Sequence, residues 1–136
     1  PSKDPRAFGP PVWAALHILA HNYPDDPDEK TQKHCRRMLY GVAHLLPCAG
    51  CKRNFRRFLN AKKQNIYKAL RSGDGFTKLL IDDRNDIRRH ARPGEARLTV
   101  ERAKLIYERL PVNVPLASVW PGYEMLSTRN KLVYNP

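Results

Sequence analysis

The sequence predicts an all-α fold, and three observations carry that prediction. Apolar residues recur at helical spacing, no stretch alternates with the period of a strand, and prolines and glycines divide the chain into blocks of helix length. The 136 residues fit one domain with a single compact core. Hydrophobic content of 41% and charged content of 28% are those of a globular chain rather than a disordered one. No apolar run approaches the roughly 20 residues that span a bilayer, so no membrane partner is expected. The chain opens at Pro1 without methionine, so nothing about compartment follows from its start.

In the first block Pro10 and Pro11 suit an opening helical turn, and the helix runs on to Pro24. Its spacing places Trp13, His17 and His21 on one stripe at i, i+4 and i+8, beside Leu16 and Ala20. A second helix is expected over residues 28–46, with Cys35, Met38, Leu39, Val42 and Leu45 as its buried face. After Pro47 a third runs from about Cys48 to Asn60, turning Phe55, Phe58 and Leu59 inward. Residues 61–75 read as a connection containing a helical turn. A fourth helix begins at Phe76, carries Leu79, Leu80, Ile87 and Ala91, and ends at Pro93-Gly94. Thr99 caps a short fifth, on which Val100, Ala103, Ile106, Tyr107 and Leu110 share a face. Beyond Pro111 the pattern dissolves, and residues 111–136 are expected as an extended tail packed on the same domain.

The net charge of +12 favours polyanionic neighbours, whether nucleic acid, a membrane surface or a phosphorylated ligand. The basic residues are spread along the chain rather than gathered in one tail. Three cysteines make no disulfide framework. The informative pair is Cys48-Ala49-Gly50-Cys51, directly after Pro47. A c-type haem needs histidine after the second cysteine, where this chain has Lys52. Structural zinc needs four ligands, and a set would have to recruit Cys35 and His44 from the second helix. Cys35 alone reads more simply as a small buried thiol. A redox pair has a direct physical case. Helix N-terminal N–H groups and the positive charge of Lys52, Arg53, Arg56 and Arg57 both stabilise a thiolate, the nucleophile of disulfide exchange. Two histidines on the Trp13 stripe suit a planar heteroaromatic cofactor better than an apolar core.

"FGPPVWAALHILAHNYP" followed by "LLPCAGCKRNF" resembles the Erv/ALR family of FAD-linked sulfhydryl oxidases, its short viral-type members especially. The matching positions are Gly9-Pro10, Trp13, Leu16-His17, Ala20 and Tyr23-Pro24, then Pro47-Cys48 and Cys51. The resemblance covers residues 8 to about 92 and implies a four-helix bundle that holds FAD near its end. It implies an FAD-binding thiol oxidase domain over 1–110, with 111–136 an extension of unassigned role. Cys48 would be the exposed interchange thiol and Cys51 would lie against the isoalloxazine ring. Gly9, Trp13 and His17 would line the cofactor, with His21 added by helical spacing. The family's adenine-contacting His-Asn-x-Val-Asn falls on Arg84-Asn85-Asp86-Ile87-Arg88. Asn85 matches, while Arg84 and Arg88 stand for the histidine and second asparagine and could grip the diphosphate, with Arg92 beyond.

Such an enzyme takes a protein dithiol or thioredoxin-like substrate and passes its electrons to oxygen, giving hydrogen peroxide. The resemblance also implies a homodimer through the first two helices, for which Tyr40 and Ala43 are read as lying off the core face. A viral member would work in host cytoplasm or virion, and any other in an oxidising compartment. The alternative from another class is a basic helical nucleic-acid-binding protein with a structural CxxC.

Overall fold

The computed structural model describes residues 3–91, 94 and 97–107, and the expected tail over 111–136 lies outside them. Within the described residues every regular element is a helix: α1 (Pro5–His21), α2 (Glu29–Leu45), α3 (Ala49–Ala61), α4 (Lys63–Ala69), α5 (Gly73–Ala91) and α6 (Val100–Tyr107). None of these is long and apolar enough to cross a membrane.

Helix α1 starts five residues earlier than the Pro10-Pro11 signal suggests. Asp4 caps it by accepting from the Arg6 N–H at 2.8 Å, and Pro5 takes a first-turn position where a missing N–H costs nothing. Pro10 and Pro11 therefore sit inside the helix, and the capped start upstream overrides them. Asp28 caps α2 by accepting from Thr31 N–H at 2.7 Å. Ser72 accepts from Gly75 N–H at 3.0 Å at the start of α5, three residues before the expected Phe76. Thr99 caps α6 as the sequence requires, accepting from Arg102 N–H at 3.1 Å. The helical turn expected between 61 and 75 is α4, whose Ile66 is 1% exposed.

The helices assemble as two pairs joined by α4. α2 packs on α3, and α1 packs on α5 with α6 laid against both, while α4 touches α2, α3 and α5. One core cluster runs through all five long or bridging helices, including Leu16, Leu39, Phe55, Leu59, Ile66, Phe76 and Leu80. Each such side chain contributes about 1.5–3 kcal/mol by leaving water. The end of α1 meets the start of α5 so closely that a Cβ on Gly73 would lie 3.2 Å from Ala20 O and 3.3 Å from Tyr23 O. Tyr23 fixes this corner, donating to Leu70 O at 2.8 Å and meeting Phe76 edge-on at 5.3 Å.

Two expectations for α2 are corrected. Ala43 is fully buried in the core and Tyr40 packs against it, donating to Leu59 O at 3.5 Å, so neither stands off the core face. Leu45, expected inside, is 81% exposed. The buried line is Cys35, Leu39 and Ala43 at i, i+4 and i+8, and that choice rotates Leu45 outward at the helix end.

Candidate functional site

The first functional side chain is placed by a helix cap. Pro47 disfavours helical geometry at the residue before it, and Leu46 ends α2 at φ −54°, ψ 139°. Cys48 is then the extended N-cap of α3, and its Sγ accepts from Cys51 N–H at 3.2 Å. The CxxC spacing is thus also the spacing from an N-cap to the third helical residue, where a side-chain acceptor satisfies an orphan N–H. Both thiols are half-buried and the structure is that of the dithiol.

The two sulfurs differ in their electrostatics. Hydrogen bonds from the Cys51 side chain and N–H, then from Gly50 N–H, with the Arg53 charge adding, hold the Cys48 thiol below its usual range. Cys51 is pushed up to about 11, chiefly by burial and then by its hydrogen bond to Cys48 and the Cys48 charge. The first proton leaves Cys48, and Cys51 keeps its own. Cys35 lies in the core, its thiol pushed up to about 12 by burial, while His34 and His44 face solvent.

The second constellation is on α1. His17 is 2% exposed, and its Nε2 has no hydrogen-bond partner among the described residues. Its ring lies 6.2 Å from half-buried Trp13 and stacks on Tyr107 of α6, with centroids 4.5 Å apart and planes 3° from parallel. Burial, and then the Arg84 charge, hold the imidazole down to about 4, so it is neutral near pH 7. Stacking faces beside a buried, unsatisfied ring nitrogen suit a planar heteroaromatic group with a polar edge. The residues present fit the isoalloxazine or adenine ring of a flavin nucleotide. Gly9 is half-buried with nothing within 4 Å of where its Cβ would be.

Other expected positions fall elsewhere. His21 is exposed at the end of α1, because each step of four residues advances about 40° around the helix and its line leaves the buried face. Asn85 is buried, with its amide engaged on backbone: Nδ2 donates to Leu98 O and Oδ1 accepts from Leu98 N–H, both at 2.9 Å. That clamp seats the start of α6 and so carries Tyr107 to His17. Arg84 is half-buried, near enough to His17 for its charge to act there. The side chain of Arg88, and Arg92 entirely, lie outside the described residues.

The sequence reads Asp83 as an ion-pair partner for Arg84 and Arg88 on a solvated helix face, and the structure buries it instead. It is 1% exposed, neither carboxyl oxygen has a hydrogen-bond partner among the described residues, and burial with the nearby Asp86 pushes it up to about 8. Its signal was present: in the apolar series Phe76, Leu80, Asp83, Ile87 an acid takes the i+7 place.

Comparison with known proteins places these features. The sequence profile of the Erv1 / Alr family matches residues 10–107. A 53-residue stretch is 30% identical to the FAD-linked sulfhydryl oxidase ERV1 of Oryza sativa subsp. japonica, covering 39% of this chain and 27% of that protein. The match thus spans about a quarter of that relative's length. The crystal structure of the yeast Erv1 core has the same fold, with a TM-score of 0.66 at 17% identity over 74% of this chain and 80% of that one.

Two predictions follow from the electrostatics. In iodoacetamide alkylation followed by peptide mass spectrometry, Cys48 reacts at lower pH than Cys51, and Cys35 reacts only after unfolding; equal onsets for Cys48 and Cys51 would refute the asymmetry. For Asp83 the folded-state value lies above the unfolded one, so its contribution is full below about pH 4 and is lost as pH rises towards 8. Asp83→Asn therefore gains on the parent with rising pH, by on the order of 5 kcal/mol at pH 8.5, and parallel Tm–pH curves for the two proteins would contradict this.

Proposed function

The chain belongs to the Erv1/Alr family, and from that membership and the unequal thiols of Cys48 and Cys51 we propose that it is an FAD-dependent thiol oxidase. The observation that carries the reading is Cys48 Sγ at the N-cap of α3. Its oxidised form is the Cys48–Cys51 disulfide. A substrate thiolate attacks Cys48 Sγ, forming a mixed disulfide and releasing Cys51 as the thiolate, which takes up a proton. The second substrate thiolate attacks the substrate sulfur of that mixed disulfide, and Cys48 leaves as a thiolate. Substrate has then lost two electrons to the enzyme. Of its two thiol protons the equivalent of one is on Cys51 and the other is in solvent, Cys48 remaining a thiolate. A thiol held at low pKa is a good leaving group, so the cap favours this second step. Cys51, the more buried of the two, would be the sulfur that exchanges electrons with the cofactor.

FAD, when bound, accepts the electron pair from the dithiol and passes it to oxygen, giving hydrogen peroxide. Trp13 and His17 would hold its ring system, His17 donating or accepting at Nε2. Gly9 would leave room beside them, and Arg84, Arg88 and Arg92 would supply the positive charge that the diphosphate needs. Asn85 positions α6 rather than touching the nucleotide. The substrate is a dithiol carried on a protein or peptide.

Purified protein should be yellow and should take up oxygen with dithiothreitol. Cys48→Ser and Cys51→Ser each lower the rate at least about 100-fold, since either loss removes the disulfide through which exchange runs. Cys35→Ser keeps it within about twofold, as expected of a buried packing thiol. Loss of activity in Cys35→Ser with retention in Cys48→Ser would overturn the assignment.

The assembly we propose is a homodimer. Ile18 at 40% and Leu19 at 50% exposure give α1 an outward apolar face that water alone covers poorly. Multi-angle light scattering at micromolar concentration should give twice the chain mass, and Leu19→Glu should give the monomer. A monomeric parent protein would end the proposal.

A further inference from the structure

The charge of this molecule is segregated. Residues 30–73 hold twelve lysines or arginines and no aspartate or glutamate, which accounts for the whole net charge of +12. Outside that segment thirteen basic residues face thirteen acidic ones. The segment comprises nearly all of α2, then α3 and α4, and so it surrounds the CxxC.

On α3 the excess forms an ordered row. Arg53, Arg56, Arg57, Asn60 and Ala61 line an open groove of about 540 Å³ along the outer face of the helix. The row begins at the reactive sulfur: the space beside the Gly50 Cα is bounded by Arg53 Nη2 and Cys48 Sγ, each 3.9 Å from where a Cβ would lie. Among the described residues the hydrogen bonds of these cations go to neutral acceptors. Arg56 Nε donates to Lys52 O at 3.3 Å and Arg57 Nη2 to Asn54 Oδ1 at 3.1 Å. Among the described residues no carboxylate pairs with any of the three, and Arg53 and Arg57 are exposed. A run of like charge without intramolecular counter-ions repels itself, so a counter-charge from outside is the arrangement that relieves it.

We propose that this row is a docking track for an acidic peptide segment adjoining the substrate's cysteines, so that the enzyme selects dithiols set in acidic sequence. The proposal rests on the thiol-oxidase reading and names its substrate class. From Cys48 to Ala61 the helix rises about 20 Å at 1.5 Å per residue. An extended peptide covers that distance in about six residues. Carboxylates at alternate positions along it meet guanidinium groups that form forked, charge-assisted hydrogen bonds. Nucleic acid is the less suitable occupant, because a polyanion lying on a track that starts at Cys48 covers the thiol that has to be reached. A peptide that carries its own thiol delivers it there.

The test uses the full, flavin-loaded chain and two fluorescent peptides of one length, with a common Ser-x-x-Ser centre followed by four aspartates or by four lysines. Anisotropy reads binding without turnover. The aspartate peptide should bind at least about tenfold tighter at 50 mM salt, and the difference should shrink by 300 mM. Arg57→Glu should remove most of that preference and Arg57→Lys should keep part of it. Between parent and Arg57→Glu the peptide preference should fall by a larger factor than the rate of oxygen uptake with dithiothreitol. Equal binding of the two peptides, an Arg57→Glu protein that still prefers aspartate, or tighter binding of a single-stranded oligonucleotide of the same charge would each overturn the proposal. Loss of dithiothreitol oxidation in the parent would instead strike the thiol-oxidase reading and leave the binding result to stand on its own.

Discussion

A sulfur caps a helix in this protein, and the chemistry proposed for the molecule depends on that contact. Pro47 stops α2, the chain turns once, and the first residue able to satisfy the exposed N–H groups of α3 is Cys48. Its Sγ accepts from Cys51 N–H at 3.2 Å. A serine there would cap as well or better, so capping alone does not explain cysteine. What cysteine adds is a group that becomes an anion where a helix N-terminus favours one. The same hydrogen bonds that start the helix divide the two thiols into one that gives up its proton and one that keeps it.

The rest of the fold keeps this cap at the end of a fixed helix and builds a buried aromatic site on α1. Phe55, Phe58 and Leu59 anchor the inner face of α3, leaving its outer face to arginines. On the other side of the molecule, the Gly73 corner lets α5 lie close on α1, and the Asn85 clamp on Leu98 seats α6. These distant contacts bring Tyr107 onto His17 at 4.5 Å. The buried neutral imidazole with an unsatisfied Nε2 is unfavourable in isolation, and such a group is kept where a ligand completes it.

Much of the fold was legible because its cues are local. Pro47, the Thr99 cap and the spacing of Phe55, Phe58 and Leu59 each act within one or two turns and were read correctly. Pro10 and Pro11 misled because a better cap stood upstream at Asp4. Ala43 and Leu45 misled because the rotation of α2 is set by α3 and α4, and an amphipathic pattern leaves an uncertainty of about one residue in a turn. At the site, Cys48, Cys51, Trp13 and His17 stand out in the sequence because spacing and chemistry coincide, and the structure puts Cys48 at a helix cap and His17 in the interior. His21 satisfied the spacing alone, and the helix carries it to solvent. Asn85 looked like a ligand contact, but its partner is backbone thirteen residues on, which no periodicity reveals. Asp83 was hidden because charge is read as surface unless the apolar line through it is followed.

The most direct test of the account is to map the mixed disulfide. Oxidised protein is mixed briefly with a dithiol peptide, quenched in acid and digested, and the linked peptides are sequenced by mass spectrometry. Because Cys48 caps the helix as the accessible, low-pKa sulfur, the substrate should be found joined to Cys48. Substrate joined to Cys51 or to Cys35 would contradict the division of roles on which the account stands.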